Sequence, residues 1–508
     1  MSSQTRYFMG IEVGTAGIKV VLVNEKGHPD HSSWMEFPTL TPKPLWVEQH
    51  PQDWWKATIL AIQKLFMDGN VQPSQIECIG LTGQMHGLVL LNGSGETIRP
   101  CILWNDQRSK EICSRIRTEI GNAHIKELTG NRLFPGSTMP KLKWVQENEF
   151  NHFAQVYRFV LPKDYLRYRL SGEIFTDVTD ASGTGLFDVK NRKWSKEILK
   201  RLSISPNILP DVFESTILAS KVNHAASLVT GLIEGTPIIA GCGSQEALAV
   251  SSGIFSEGDV AVNIGTSGVV FTVTDDFKPL PDEALQNFCY ITKNKWHYMG
   301  VTLSAGGAFR WYREQFGEIE EIASSRLQQT TYDLLTECAS SAPPGAEGLL
   351  FLPYLTGERS PYDDPMAKGV FFGFGLRHKR SHFIRSVMEG ITFALKDSLE
   401  LMKKAQIPIH EIRVSGGAMK SSLWRQMLAD IFDHEIQIVR ETDGAAYGAA
   451  LMAGLSTKAF TKDHPVFDSM SIVQSSILPG ENSETYKNEY QRFRSLYSSL
   501  QDEFKKIE

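Results

Sequence analysis

Two stretches of this chain, half its length apart, set glycine and threonine between β-branched runs in the same way. Ile11-Glu12-Val13-Gly14-Thr15-Ala16-Gly17-Ile18-Lys19 leads into Val20–Val23, and Val262-Asn263-Ile264-Gly265-Thr266-Ser267-Gly268-Val269-Val270 leads into Phe271. Residue 14 falls on residue 265 without a gap, an offset of 251. A Gly-Thr-x-Gly turn between two strands leaves backbone N–H groups and a hydroxyl free to meet an anion, typically phosphate. Two unrelated hairpins would read the same singly; their repetition predicts a duplicated fold gripping a polyphosphate between its halves. Gln84-Met85-His86-Gly87 and Trp104-Asn105-Asp106 each follow a short apolar run, at strand ends of the kind where open α/β sheets bind ligands. Amide, imidazole and carboxylate groups there suit a polyol, although a lone histidine is more often structural. Ser415-Gly416-Gly417 before a helical stretch suits a nucleotide, because glycine lets a ligand approach both the backbone and a helix N-terminus. The chain has no GxxxxGK[ST], HRD or DFG pattern, which removes P-loop and protein-kinase chemistry. It has no HExxH and no clustered metal ligands.

These groups need strands and helices to hold them. The first hairpin precedes a loop with Pro38, Pro42 and Pro44, then an apolar-periodic helix from Asp53 to Phe66. Short strands are expected at Ile76–Leu81, Leu88–Leu91 and Ile102–Trp104, helices at Lys141–Glu147 and Pro162–Leu170, and a strand at Pro237–Ala240. The last runs into Gly241-Cys242-Gly243-Ser244 and a helix of small residues. The second hairpin leads to Ser304-Ala305-Gly306-Gly307 and a helix at Phe309–Phe316. Helices are expected again at Ser381–Lys404, Leu423–Phe432 and Tyr486–Phe504, with a strand at Ile412–Val414. The last helix is amphipathic and should pack back on the body. Alternating strands and helices give an α/β class in both halves.

At 508 residues the chain suits two domains, divided here as 1–252 and 253–508. Hydrophobic content of 42%, charged content of 22% and a net charge of −6 describe an ordinary soluble protein. Nothing in them marks a nucleic-acid surface. The cysteines at 78, 101, 113, 242, 289 and 338 are widely spaced, as free thiols of a reducing compartment would be. With no signal-peptide h-region and no apolar run of membrane-spanning length, a cytoplasmic protein without membrane partners is expected. A homodimer is compatible with the sequence.

The motifs match a known family. The chain resembles the FGGY carbohydrate kinases, and among them the xylulokinase branch, from Gly10 to about Gly454. The resemblance is carried by Gly80-Leu81-Thr82-Gly83-Gln84-Met85-His86-Gly87, Leu103-Trp104-Asn105-Asp106-Gln107-Arg108-Ser109 and Met139-Pro140-Lys141-Leu142-Lys143-Trp144. It continues through Asp180-Ala181-Ser182-Gly183-Thr184, Gly265-Thr266-Ser267, Tyr354-Leu355-Thr356-Gly357-Glu358-Arg359, Ser415 to Ser421 and Gly444 to Ala450. It implies two RNase H-like domains of the sugar kinase/Hsp70/actin group with a central cleft, sugar bound by the first and nucleotide by the second. By it, Met85 and His86 contact the ketose, with Trp104, Asn105, Asp106 and Gln245 as further substrate-side candidates. Gly14, Thr15, Lys19 and Thr266 face the phosphates, and Gly306, Arg310, Gly417 and Ser421 surround ATP. The implied reaction passes the γ-phosphate of ATP, with Mg2+, to D-xylulose, giving D-xylulose 5-phosphate.

Two positions depart from the family's pattern. The family's first hairpin carries an Asp linked to Mg2+ and phosphate; here Glu12, one methylene longer, stands as the tentative metal ligand. The family's general base is the Asp of a Gly-x-Gly-Asp sequence; here it is Ser244. A serine hydroxyl does not usefully accept a proton near neutral pH, so base assistance worth roughly 10²–10⁴ should be lost. Positioning and electrostatics carry most of phosphoryl transfer and can leave residual activity. Glu246 is the nearest replacement acid, but a helix starting at Ser244 turns it about 200° away. Two rivals remain: a pseudokinase that binds sugar or nucleotide, favoured by Glu12 and Ser244, and a kinase for another sugar or polyol, favoured by Gln245.

Overall fold

The computed structural model describes residues 5–278, 285–440, 443–461, 466 and 473–507. Both Gly-Thr turns close antiparallel hairpins. The first pairs Tyr7–Val13 with Gly17–Asn24 in a register that sets Glu12 opposite Lys19. The second pairs Asp259–Ile264 with Gly268–Thr274. A third antiparallel strand extends each hairpin, Pro29–Glu36 in one and Trp296–Thr302 in the other. On the far side of each opening strand lie two strands parallel to it. These are Ile76–Gly83 and Pro237–Ile239 in the first sheet, Glu411–Gly416 and Ile436–Val439 in the second. Numbered along the chain within each half, the five strands run 3-2-1-4-5 in both sheets. The sequence repeat therefore marks the duplication of a whole sheet. Its central strands are apolar on both faces, Val20 to Val23 being buried without exception, because helices cover the sheet on each side.

The strands of the two sheets divide between residues 7–243 and 259–477, but one helix crosses that division. Gly444–Ser456 follows the strand Ile436–Val439 of the second sheet in the chain, yet lies on the first sheet. Its small residues allow an unusually close approach. A Cβ at Gly10 would stand 1.8 Å from the Ala446 carbonyl oxygen, and one at Gly80 would stand 1.9 Å from that of Ala449. The same helix packs on Ser244–Ser251, where Gly448 meets the Ala247 carbonyl. The halves thus share a helical layer beneath the residues of interest.

The expected elements recur with shifted ends. The helix expected at 53–66 spans Pro51–Gly69, and the strand expected at 102–104 stops at Ile102. There the Leu103 N–H turns to the Val47 carbonyl, and its own carbonyl accepts from Lys141. The helix Ser483–Phe504 does pack back, burying Tyr486, Tyr490, Phe493 and Phe504, with the Tyr490 hydroxyl donating to Asp397 at 2.7 Å. Among the described residues no helix is long and apolar enough to cross a membrane.

Candidate active site

The second Gly-Thr turn is stitched to the start of a helix. Gly306 N–H donates to Gly265 O at 2.9 Å and Gly307 N–H to Thr266 O at 2.9 Å, as the helix Gly306–Phe316 begins. A Cβ at Gly306 would lie 2.5 Å from the Gly265 oxygen, so only glycine lets turn and helix close on each other. After the parallel strand Glu411–Gly416, Gly416 takes φ +109° and Gly417 faces open space. Ser421 then caps the helix Ser422–Phe432 by accepting the Trp424 N–H at 3.2 Å. Thr266, Gly306, Arg310, Gly417 and Ser421 line one cavity of about 450 Å³. Phe309, Tyr332 and Trp424 give it aromatic walls suited to a flat ring, and glycine backbone forms part of its rim. Tyr332, the second residue of the helix Thr331–Ser340, belongs to no motif named from the sequence. A second cavity of about 250 Å³ shares Gly417 and Lys420 and extends to Gly444.

Gly444 leads to the first turn. Its neighbour Asp443 holds the Lys19 ammonium at 2.7 Å. Glu12 stands opposite Lys19; burial raises its pKa, while the Lys19 charge and the Ala446 backbone at the start of the shared helix oppose the rise. Gly14 closes the turn by donating to Gly17 O at 2.9 Å. Thr15 accepts the Trp104 indole N–H at its hydroxyl, 3.3 Å away, tying the phosphate-side turn to the substrate-side candidates.

Met85 and His86 follow the strand Ile76–Gly83. The Met85 thioether lies against Gly243, where a Cβ would meet its sulfur at 2.9 Å, so it abuts the turn that carries Ser244. His86 takes φ 68°, uncommon for a residue with a side chain. Its Nδ1 stands 2.8 Å from the Gly183 carbonyl. A carbonyl can only accept, so Nδ1 carries the proton and Nε2 remains an acceptor. Burial, reinforced by the nearby Lys141 charge, drives the imidazole pKa down to about 3 and keeps it neutral. Asn105 is exposed. Asp106 requires a correction: it does not present its carboxylate to a ligand. It is fully buried and spends its oxygens on the Val47 and Arg108 N–H groups and the Arg108 guanidinium. It shapes the loop beside Trp104.

Ser244 is the first residue of the helix Ser244–Ser251. Cys242–Gly243 pairs with Thr82 and Gly83, and the Gly243 N–H donates to the Thr179 hydroxyl at 2.9 Å. Thr179 in turn donates to Asp177, which Lys163 holds at 2.8 Å. The turn is thereby fixed. Ser244 and Gln245 are half-buried, and among the described residues their side chains make no hydrogen bond. Glu246 departs from expectation. It does not point away but folds back until Oε2 is 2.5 Å from the position of a Cβ on Gly243, beside Met85. Its Oε1 lies 3.3 Å from His297 Nδ1, off the line of a hydrogen bond, and both side chains are fully buried. Desolvation, with Asp177 and Asp180 adding to it, pushes the Glu246 pKa well up, and burial pushes His297 well down. Both shifts favour the uncharged forms, and a protonated carboxyl is no base.

Two duplicated α/β sheets that share a helical layer make a two-domain fold of the actin/Hsp70 type. The model of the FGGY family of carbohydrate kinases, N-terminal domain, matches residues 7–251, and that of its C-terminal domain matches residues 260–457. A xylulose kinase of Bacillus subtilis is 35% identical, with 98% of each chain covered. A solved ligand-bound xylulose kinase from Lactobacillus acidophilus superposes with a TM-score of 0.90 at 26% identity, covering 99% of this chain and 100% of that one. A gluconate kinase from the same organism gives the same TM-score, identity and coverage. The chain belongs to the FGGY carbohydrate kinases, enzymes that transfer phosphate to sugars.

Proposed function

We propose that the chain passes the γ-phosphate of ATP to a terminal hydroxyl of a ketose, D-xylulose foremost, releasing ADP and D-xylulose 5-phosphate. The observation that carries this reading is the convergence of Thr266, Gly306, Arg310, Gly417 and Ser421 on one cavity. A second cavity continues from its rim to Gly444, beside the Asp443–Lys19 pair of the first turn. Adenosine occupies the aromatic end, and the phosphates run along glycine backbone toward Thr15 and Lys19. Lys19 meets the phosphates by leaving Asp443. Met85 packs on the sugar's carbon face, His86 Nε2 accepts from a sugar hydroxyl, and the acceptor hydroxyl lies at the Ser244 turn.

Mg2+ is bound with nucleotides through one or two carboxylates, phosphate oxygens and water. Glu12, a carboxylate beside the Gly14 turn, fits that mode, and no cluster of three or more ligating side chains exists among the described residues. Bound there, the ion would neutralise phosphate charge. The N-terminus of the Ser244 helix faces the incoming phosphoryl group with its positive dipole end. Closure of the two halves excludes water and so disfavours ATP hydrolysis.

A second reading is a sugar-acid kinase, favoured by the equal superposition on gluconate kinase. A coupled ADP-release assay over ketoses, polyols and D-gluconate tests both. Turnover greatest on D-xylulose supports the first, turnover greatest on D-gluconate replaces it, and ADP release independent of any sugar refutes both.

A further inference from the structure

Lys141 is fully buried on the helix Thr138–Asn148, yet among the described residues no carboxylate pairs with it. Its ammonium instead donates to three backbone carbonyls: His86 O at 2.8 Å, Leu103 O at 3.0 Å and Ile102 O at 3.5 Å. Those oxygens belong to two separate chain segments. One is the turn that holds His86 at φ 68°; the other is the end of the strand Cys101–Ile102, directly before Trp104. Thr138, on the same helix, donates a second bond to His86 O at 3.0 Å. A buried ammonium without an ion pair is costly, and three donors converging on carbonyls are what satisfy it.

We propose that Lys141 is a positioning residue for sugar binding, whose ammonium locks the His86 turn and the Trp104 strand end into one pocket wall. The inference rests on the sugar-kinase reading of Met85 and His86 and adds a regulation of that site. Three N–H groups serve three carbonyls only in the charged form; a neutral amine has two. Burial holds the Lys141 pKa down to about 7, so the lock loosens as pH rises through neutrality. Cys101 and Asp106 oppose the lowering by burial and Arg108 adds to it, but burial is the largest cause. The Cys101 thiol is pushed up to about 12, the His86 imidazole is neutral above about 3, and Asp106 is paired with Arg108 at 2.8 Å.

The test uses the full chain and has two readouts. In steady-state kinetics on whichever sugar wild type phosphorylates best, the sugar KM should be flat below pH 7 and rise about tenfold by pH 9, with the ATP KM unchanged. Lys141→Met should raise the sugar KM at least tenfold at pH 6 and abolish its pH dependence. A folded Lys141→Met protein with the wild-type sugar KM overturns the proposal. If that variant does not fold, the wild-type profile decides: a sugar KM flat from pH 6 to 9 refutes it. The second readout needs no activity. In 13C-histidine-labelled protein, the His86 Cε1 resonance should inflect near pH 7, although its own ring does not titrate there. An absent inflection refutes the Lys141 lock; an inflection in a protein that phosphorylates no sugar refutes only the kinase reading.

Discussion

On the proposed placement of the acceptor hydroxyl, Ser244→Asp puts a carboxylate where that hydroxyl is to be deprotonated, and a large gain is expected. The residue opens the helix Ser244–Ser251 and is half-buried, so the longer side chain has room toward solvent. The helix N-terminus stabilises a carboxylate by about 0.3–1 kcal/mol, which lowers its pKa by less than a unit. Burial pushes the Glu246 pKa, two residues on, well up, which favours its uncharged form and weakens repulsion of a new carboxylate. The Gly243 N–H bond to Thr179 keeps the backbone in place whichever side chain follows. A positioned base contributes roughly 10²–10⁴, or about 2.7–5.4 kcal/mol of barrier. We therefore expect wild-type kcat on D-xylulose well below the about 1–100 per second usual for kinases, and an increase of about a hundredfold or more in Ser244→Asp. Both KM values should stay within about threefold, since substrate contacts come from other residues. Ser244→Ala should match wild type within a similar factor. The assay is coupled ADP release, with thermal melting to confirm folding. A gain below tenfold in a folded protein that still binds both substrates would refute the reasoning. So would wild-type turnover at ordinary rates, which would require another base and make Glu246→Gln the next variant.

Three further outcomes are expected. His86→Asn, chosen because asparagine tolerates positive φ, should raise the sugar KM about 5- to 150-fold, the range for losing a hydrogen bond to a substrate hydroxyl (about 1–3 kcal/mol), and leave the ATP KM unaltered; equal loss for both substrates would count against a sugar contact. Gly80→Ala would force a Cβ to 1.9 Å from the Ala449 backbone oxygen, so a melt should show destabilisation of about 1–3 kcal/mol or more, and an unchanged Tm would contradict the shared helical layer. Glu358 is fully buried with its pKa raised to about 8, chiefly by desolvation, above an unfolded value near 4.5. Its contribution is present below pH 4.5 and lost as pH rises toward 8, by about 1 kcal/mol per unit as an order of magnitude, so Glu358→Gln should flatten the fall of Tm from pH 5 to 8; parallel slopes for the two proteins would refute this.

The duplicated sheet was legible because its signal is local. A β-branched run, a Gly-Thr-x-Gly turn and a second run specify a hairpin wherever they occur, and their repetition at a fixed offset carries the topology with it. The shared helix was not legible in that way. Gly444-Ala445-Ala446-Tyr447-Gly448-Ala449-Ala450 reads as a helix of small residues, but nothing in it names its partner. The partners are Gly10 and Gly80, more than three hundred positions away, and their glycines look like ordinary strand residues until a carbonyl is found 1.8–1.9 Å from each missing Cβ.

The same division explains the site. Gly306 and Gly417, expected around the nucleotide from the family resemblance, line one cavity, and at Gly306 the Gly265 carbonyl leaves no room for a Cβ. Side chains whose work depends on what surrounds them were not legible. Asp106 looked like a ligand-facing acid, and only the two N–H groups and the guanidinium around it show its acceptors spent. Lys141 looked like one basic residue of a motif, and only three converging carbonyls show that its charge serves the pocket. Glu246 was expected to turn away by helical angle, but a glutamate has three rotatable bonds and this one folds back over Gly243 to lie beside Met85. Helical phase fixes where a Cβ points; where a long side chain ends is decided by which neighbours leave room for it, and at Gly243 the missing Cβ is that room.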